Sequence, residues 1–233
     1  MSGAIEKRLD QLATEYRLPV AASEQLRTIL TELEIEHSSV STVRAPREAV
    51  ERHVEDSLVG LLVGELRRAT TIADLGSGGG FPGLALAVAL PDSSVTLIES
   101  VSRKCAFLER VSHEAGLLNV EVVCGRAEEI PPRTFDVVTA RALAPLPVLA
   151  EYAAPMLVPE GIAVLWKGDP DPAERQAGSR ACDQLGLEPV DSPELPAPAS
   201  GLARELVIYR KVSDTPAGFP RRVGVARKRP LGG

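Results

Sequence analysis

The sequence has few cysteines, few aromatic residues and no long apolar run. Its three cysteines, Cys105, Cys124 and Cys182, are widely spaced and show no CxxC pattern. This argues against a disulfide framework or a zinc site and is typical of a protein in a reducing cytoplasm. No apolar run is long enough to cross a bilayer, and the N terminus lacks the basic and apolar segments of a secretory signal. We therefore expect a cytoplasmic protein with no metal and no membrane partner.

Aromatic residues make up only 3% of the 233 residues, which leaves few surfaces on which nucleic-acid bases can stack. Hydrophobic residues make up 44% and charged residues 25%, as in an ordinary folded protein. The net charge of -6 is unevenly distributed, because residues 1–60 are acidic and residues 201–233 hold eight basic and two acidic side chains. The basic end is either a solvated tail or a cationic binding surface.

The pattern of apolar residues changes near Thr70. Before it, Leu26, Ile29, Leu30 and Leu33 recur at helical spacing. After it, short apolar runs alternate with helical stretches near 83–90, 102–116, 146–157 and 171–186, which predicts an α/β fold with a doubly wound, mostly parallel sheet. The predicted strands are 71–75, 95–98, 120–123, 135–139, 162–166 and 205–209.

These patterns divide the chain into three predicted parts. Residues 1–66 form an N-terminal helical extension, residues 67–212 the cofactor-binding domain, and residues 213–233 an irregular basic tail. Residues 187–203 are rich in proline, alanine and serine, so we predict a long connection there. We expect a monomer.

A glycine cluster follows the first predicted strand and precedes a helix. The run from Asp74 to Gly83 reads DLGSGGGFPG, with five glycines in its last eight positions. Glycine adopts positive φ and lets the backbone approach a ligand closely. Gly78, Gly80 and Gly83 also match the dinucleotide fingerprint, but that match alone is weak. The acid at Asp74 and the bulk of Phe81 favour a sulfonium nucleoside, which needs an apolar wall and nearby acids instead of a phosphate cradle.

Polar residues at the ends of the next strands support the same site. Glu99, at the end of the second strand, can accept hydrogen bonds from both ribose hydroxyls. Ala127 and Glu128, after the third strand, suit an adenine edge and its amino group. Arg141, at the end of the fourth strand, can bind a carboxylate or an RNA phosphate through its planar fork. Each of these side chains taken singly is also compatible with an ordinary surface residue.

Several motifs in one order resemble the glucose-inhibited division protein B family, bacterial methyltransferases of guanine N7 in 16S ribosomal RNA. They are HxxDSL (53–58), DLGSGGGFPG (74–83), IES (98–100), KxxFL (104–108), NV (119–120), RAE (126–128), FDVVTARA (135–142), KG (167–168), PRRxG (220–224) and PL (230–231). The resemblance covers nearly the whole chain. Arg103 departs from it by replacing a frequent lysine, and residues 169–203 match no feature of the family.

The resemblance implies a Rossmann-like class I methyltransferase fold and S-adenosylmethionine as the cofactor. It implies contacts to this cofactor at Gly76, Phe81, Ala127, Glu128 and Arg141. It also implies methylation of a guanine N7 in the decoding-region loop of 16S rRNA, as naked RNA or in the small ribosomal subunit. Guanine N7 carries a lone pair and no proton, so the reaction needs no general base, and we predict no catalytic residue.

Binding of RNA then depends mainly on cationic contacts to phosphates. The candidates are Arg103, Lys104, Arg141, Lys167, Arg221, Arg222 and Lys228. Trp166 and Phe81 are the available stacking residues near the presumed cleft, although a core role is favoured for Trp166. His53 and Asp56 are interpreted as a packed polar pair that links the N-terminal helices to the sheet.

Two other classes of function remain open from the sequence. The first is a methyltransferase of the same fold that acts on another RNA, a protein or a small molecule. The second is a non-catalytic RNA-binding factor that retains the cofactor fold.

Overall fold

A seven-stranded sheet lies at the centre of the structure, a computed structural model that describes residues 3–36, 43, 45–132, 134–198, 200–201 and 203–232. The strands are β1 (Thr71–Leu75), β2 (Ser94–Glu99), β3 (Val120–Cys124), β4 (Phe135–Arg141), β5 (Leu157–Lys167), β6 (Leu187–Val190) and β7 (Glu205–Lys211). Their order is β3-β2-β1-β4-β5-β7-β6. Strands β1 to β5 pair in parallel, and β7 is antiparallel to both β5 and β6. The predicted mostly parallel sheet is confirmed.

Helices precede the first strand, connect the strands and follow the last strand. They are α1 (Gly3–Glu15), α2 (Ala22–Ile35), α3 (Pro46–Ala49), α4 (Asp56–Leu58), α5 (Gly64–Arg68), α6 (Gly83–Ala89), α7 (Ser102–Glu114), α8 (Leu146–Ala153), α9 (Pro172–Leu185) and α10 (Val225–Lys228). A π-helical turn, Val50–Glu55, joins α3 to α4. The four helices predicted between the strands correspond to α6, α7, α8 and α9.

Apolar side chains on both faces of the sheet explain why the strands are continuous apolar runs. In β5, Ile162 and Val164 belong to a core shared with α2, α6 and α7. The alternating residues Ala163 and Leu165 belong to a second core, shared with α8 and α9. Since neighbouring residues of a strand point to opposite faces, one strand serves both layers.

The N-terminal extension is packed into the first of these cores. The apolar residues of α2 at helical spacing, Leu26, Ile29, Leu30 and Leu33, are almost completely buried. Helix α2 contacts both α6 and α7. The π-helical turn and α4 then carry polar side chains to the carboxyl edge of the sheet. The extension is thereby in a position to form one wall of a site at that edge.

The prediction of a strandless connection over 187–203 is wrong at its start. Residues Leu187–Val190 form β6, which pairs with β7 and includes Pro189. Proline lacks a backbone donor, which is tolerated here because β6 is an edge strand. Prolines made this segment resemble a loop, whereas its pairing with β7 is a long-range feature that local composition does not reveal.

The interpretation of the cysteines is also wrong for one pair. Cys105, in α7, and Cys124, at the end of β3, form a disulfide with their Cα atoms 5.7 Å apart. They are 19 positions apart in sequence, but the parallel pairing of β2 and β3 returns the chain to the start of α7. Cys124 is exposed, not a buried core residue, whereas Cys182 is a buried free thiol.

The basic tail is docked on the protein along most of its length. Arg221 pairs with Glu151, a carboxylate in α8 whose side chain is fully buried. Ala226 of α10 is fully buried in the second core. Near the end, the Gly232 carbonyl accepts a hydrogen bond from Arg180 Nε at 2.7 Å. These contacts hold the tail against the protein. Its backbone is largely irregular, as predicted, apart from the short α10.

Candidate active site

The glycine loop forms the turn between β1 and α6 at the carboxyl edge of the sheet. Gly76, Gly78 and Gly80 have φ values of +65°, +54° and +94°, a region that favours glycine. A Cβ atom on Gly76 would lie 2.5 Å from Cδ1 of Leu143, a side-chain end that can move, so the positive φ is the main reason for glycine here. The density of glycine in the sequence therefore has a direct structural cause.

Asp74 lies beneath this loop and ties it to the neighbouring elements. Its carboxylate accepts hydrogen bonds from Thr139 Oγ1 at 2.8 Å and from the Gly83 backbone N–H at 3.2 Å. Its side chain is fully buried. Burial raises the pKa of Asp74 from its ordinary 3.8 to about 6, although hydrogen bonds from Thr139 and Ser77 oppose the shift. The structure thus places Asp74 under the predicted cofactor site with both of its oxygens bonded to protein groups.

Because the folded-state pKa of Asp74 exceeds the unfolded value, Asp74 binds its proton more tightly in the folded protein. Its contribution to stability is complete below about pH 4 and is lost as the pH rises through about 6. We expect the free energy of unfolding of wild type to fall by up to ~3 kcal/mol across this window relative to Asp74→Asn. Urea unfolding of both proteins at several pH values measures the difference. Parallel pH profiles would show that Asp74 does not carry the raised pKa.

Glu99 lies at the end of β2, beside the glycine loop, and is only 6% exposed. Its Oε1 accepts hydrogen bonds from the backbone N–H groups of Ser100 at 2.7 Å and Val101 at 2.9 Å. Its Oε2 accepts one from the Gly78 N–H at 3.1 Å. These three donors fix the carboxylate between the ends of β1 and β2, the position predicted for a ribose-binding acid.

A narrow cleft of about 50 Å³ opens at the ends of β2 and β3, and both sequence neighbours of Glu99, Ile98 and Ser100, line it. Its lining includes Gly76, Ile98, Ala127, Glu128 and Arg227. The cleft is too small for a whole nucleoside, so side chains at its mouth must move when one enters.

The basic tail reaches this cleft, which the sequence patterns did not predict. Glu128 Oε1 accepts a hydrogen bond from the Gly224 N–H at 2.9 Å. Arg227 Nη2 donates to the carbonyl of Leu143 at 3.2 Å. The tail therefore borders the same side of the site as the loop after β3.

Arg141, at the end of β4, joins the sheet to the N-terminal extension. Its Nη1 donates to Asp56 Oδ2 and to the Arg52 carbonyl, both at 2.9 Å. Its Nη2 lies 3.0 Å from His53 Nδ1. The predicted His53 and Asp56 pair is thus brought together through Arg141, and these contacts link the extension to the sheet.

His53 accepts a hydrogen bond from this arginine because it is neutral. Burial, followed by the charge of Arg141, lowers the pKa of His53 from 6.5 to about 4. Since a guanidinium only donates, Nδ1 is the acceptor and the proton is assigned to Nε2, which lies 3.3 Å from the Val43 carbonyl.

Phe81 separates the glycine loop from the Arg141 cluster. Its ring stacks on that of His53, with centroids 4.9 Å apart. The Arg141 guanidinium carbon lies 5.8 Å from the Phe81 ring centroid. The Phe81 side chain is only 5% exposed, so protein groups cover most of its ring. Its role as an apolar wall of the cofactor site stays a prediction.

A second and larger cavity, of about 340 Å³, lies beside the cluster of Arg141, His53 and Asp56. Its lining includes Asp56, Arg141, Trp166, Lys167 and Arg204. Trp166 is 3% exposed and belongs to the core, as predicted, while its indole N–H donates to the Asp56 carbonyl at 2.7 Å. Arg204, which the sequence patterns did not single out, follows the connection after β6.

The predicted RNA-binding cations differ in their surroundings. Arg103 and Lys104 lie at the start of α7, Arg103 exposed and Lys104 half-buried. Lys167 pairs with Glu174 at 2.7 Å and lines the larger cavity. Arg222 and Lys228 are exposed on the tail. Arg221 bonds both oxygens of Glu151 and also the Arg229 carbonyl, so its donors are largely used within the protein.

Two kinds of feature are absent from the part of the chain that the structure describes. Over the described ranges, there is no cluster of three or more histidine, cysteine, aspartate or glutamate residues arranged to hold a metal ion. No described helix is both long and apolar enough to span a membrane.

Comparisons with known proteins give consistent matches. The family described as rRNA small subunit methyltransferase G matches residues 22–206. A ribosomal RNA small subunit methyltransferase G from Rubrobacter xylanophilus is 40% identical over 84% of this chain and 78% of its own length. One from Carboxydothermus hydrogenoformans is 37% identical over 98% of this chain and 94% of its own. These matches confirm the resemblance inferred from the motifs.

A solved structure supports the fold. A mutant of MtNAS in complex with S-adenosylmethionine superposes with a TM-score of 0.57 at 17% identity. The match covers 91% of this chain and 80% of that one. The predicted class I methyltransferase fold is therefore confirmed.

Proposed function

Because the chain belongs to the rRNA small subunit methyltransferase G family, we propose that it methylates guanine N7 in 16S ribosomal RNA with S-adenosylmethionine. The acceptor that we propose is a guanine in the decoding-region loop. The observation that carries the proposal is the position of Glu99, held by three backbone N–H groups beside the glycine loop. The enzyme acts as a monomer in the cytoplasm, where its RNA substrate is made.

The residues of the cleft fit this cofactor. Glu99 Oε1 and Oε2 are oriented acceptors for the two ribose hydroxyls. The backbone of Gly76 and Gly78 leaves room for close approach to the ligand, and the turn at Ala127 and Glu128 borders the place of an adenine ring. Phe81 and Arg141 lie between this cleft and the larger cavity, where the methyl group is needed.

S-adenosylmethionine supplies a methyl group bonded to a positively charged sulfur. When bound, it would supply this methyl carbon to the lone pair of guanine N7, and the electron pair of the broken carbon–sulfur bond would stay on sulfur. No proton is transferred, so the residues have to align the reactants and exclude water, and none has to act as a base. The neutral His53, held between Phe81 and Arg141, stiffens the wall at which the reactants meet.

Cations around the larger cavity suit the phosphates of an RNA strand. Arg52, Arg141, Lys167 and Arg204 all line it, and cationic contacts to phosphates supply much of the affinity for RNA. Arg103, Lys104, Arg222 and Lys228 extend the proposed RNA surface. Arg221 contributes to it indirectly, by fixing the tail to Glu151.

The test is transfer of a tritiated methyl group from S-adenosylmethionine to small ribosomal subunits and to naked 16S rRNA. We expect label in the RNA and strand scission at one guanine after borohydride reduction and aniline treatment, which cleave at N7-methylguanine. Small subunits that already carry the modification serve as the control. Label on ribosomal protein, or on an RNA base without scission at guanine, would contradict the proposal.

A further inference from the structure

The larger cavity at the ends of β4 and β5 has no assigned ligand. We propose that it receives the target guanine base, with the Asp56 carboxylate accepting hydrogen bonds from N1–H and from the 2-amino group. This inference rests on the proposed function, because it takes the acceptor to be a guanine. It adds the side chains that select and orient that base.

The position of the cavity suits an acceptor site. Arg141 and Ala142 line the larger cavity, and the next residue, Leu143, lines the cleft beside Glu99. The two spaces therefore meet the same short stretch of backbone after β4. Ala142 has a φ of +52°, a conformation that non-glycine residues seldom adopt, so the chain turns sharply at this boundary.

The size of the cavity also suits one nucleotide. Its volume of about 340 Å³ lies near the lower end of the range of small-molecule pockets, roughly 300–1,000 Å³. Trp166 and His53 form apolar parts of the wall, against which a flat base can pack. Ser200 and Ala203, from the connection before β7, border the opposite side.

Asp56 is the single acidic side chain among the lining residues that the structure describes, beside four cations. Its Oδ2 accepts from Arg141, whereas its Oδ1 has a more distant partner, Nη1 of Arg204, at 3.5 Å. The Asp56 carboxylate thus presents hydrogen-bond acceptors beside the hydrogen-bond donors of the Arg204 guanidinium. The Watson–Crick edge of guanine offers the complement, with an acceptor at O6 beside donors at N1 and N2.

Arg204 is a largely buried cation among the residues that line the cavity. Its side chain is only 5% exposed, and its Nε–H has no hydrogen-bond partner among the described residues. A buried donor without an acceptor is costly, and such groups are rare in native proteins. Because this Nε atom is itself inaccessible to solvent, the O6 atom of a bound guanine is proposed to accept from the terminal nitrogens of the Arg204 guanidinium.

This arrangement also explains selectivity and favours the reaction. Adenine would present the N1 lone pair to the carboxylate and would be repelled. When N7 forms its bond to the methyl group, the base becomes positively charged, and its attraction to Asp56 increases. An interaction that is stronger in the transition state than in the ground state accelerates the reaction.

The test compares guanosine with inosine at the target position of ligated 16S rRNA, since inosine lacks only the 2-amino group. Wild type is expected to prefer guanosine by ~10–100-fold in single-turnover methyl transfer. Asp56→Ala is expected to lower transfer to guanosine and to reduce this preference to within ~3-fold. Asp56→Asn keeps an acceptor for Arg141 and is the variant to use if Asp56→Ala fails to fold. It should also lose most of the preference for guanosine.

Arg204→Ala is the matched control. It removes a contact to O6, which guanosine and inosine share, so transfer to both should fall by ~10-fold while the preference is kept. Calorimetry with S-adenosylmethionine should show that each variant still binds the cofactor.

An Asp56→Ala enzyme that still prefers guanosine, or a wild type without preference, would overturn the assignment of Asp56. A wild type that binds the cofactor but methylates neither RNA would instead overturn the proposed function, and the inference with it.

Discussion

The Glu99→Ala variant should bind S-adenosylmethionine ~100-fold more weakly than wild type. Two hydrogen bonds from ribose hydroxyls to one carboxylate are worth about 3 kcal/mol together. Isothermal titration calorimetry measures the change. The Glu99→Gln variant keeps one good acceptor, so its affinity for S-adenosylmethionine should lie between those of wild type and Glu99→Ala.

Glu121→Ala provides the matched control, because Glu121 is an exposed carboxylate in the adjacent strand β3. Its affinity should equal that of wild type. Since Glu99 also accepts three backbone hydrogen bonds, thermal unfolding must accompany the titration. If Glu99→Ala is folded and binds S-adenosylmethionine with wild-type affinity, Glu99 does not bind the ribose.

The Arg221→Ala variant should lose about 3–4 kcal/mol in its free energy of unfolding, since it leaves a buried carboxylate without its charged partner. The Glu151 side chain is fully buried, and Arg221 Nε lies 2.9 and 3.1 Å from its two oxygens. Urea denaturation monitored by circular dichroism measures the loss. The tail should also detach from the cleft, because Gly224 and Arg227 follow Arg221 closely.

Arg222→Ala is the control for this experiment. Arg222 is the next residue and is exposed, so its loss should change stability by less than about 0.5 kcal/mol. If Arg222 contacts RNA, Arg222→Ala should weaken RNA binding without affecting stability. Equal free energies of unfolding for Arg221→Ala and Arg222→Ala would show that the buried Glu151 carboxylate does not need Arg221 as its charged partner.

Local sequence patterns predicted the elements that depend on local chemistry. Alternation of apolar runs with helical stretches located every strand except β6. The glycine loop was recognisable because positive φ at Gly76, Gly78 and Gly80 demands glycine. Glu99 and Arg141 could be placed at one edge of the sheet because parallel strands bring their carboxyl ends together.

The features that were missed depend on contacts between distant parts of the chain. Cys105 and Cys124 meet only because β2 and β3 pair. The tail borders the cleft through Gly224 and Glu128, which are 96 positions apart. Arg204 is an unremarkable arginine in sequence, and only the fold buries it next to Asp56. A long-range contact of this kind leaves no signal in local composition.

We propose that the cofactor binds where β1 turns into α6, with Glu99 holding its ribose. The most direct measurement is a crystal structure of the protein with S-adenosylhomocysteine. We expect both ribose hydroxyls within hydrogen-bond distance of Glu99, the adenine next to Ala127, and the sulfur directed past Phe81 toward the larger cavity. A nucleoside bound elsewhere, with Glu99 still bonded only to protein groups, would contradict it.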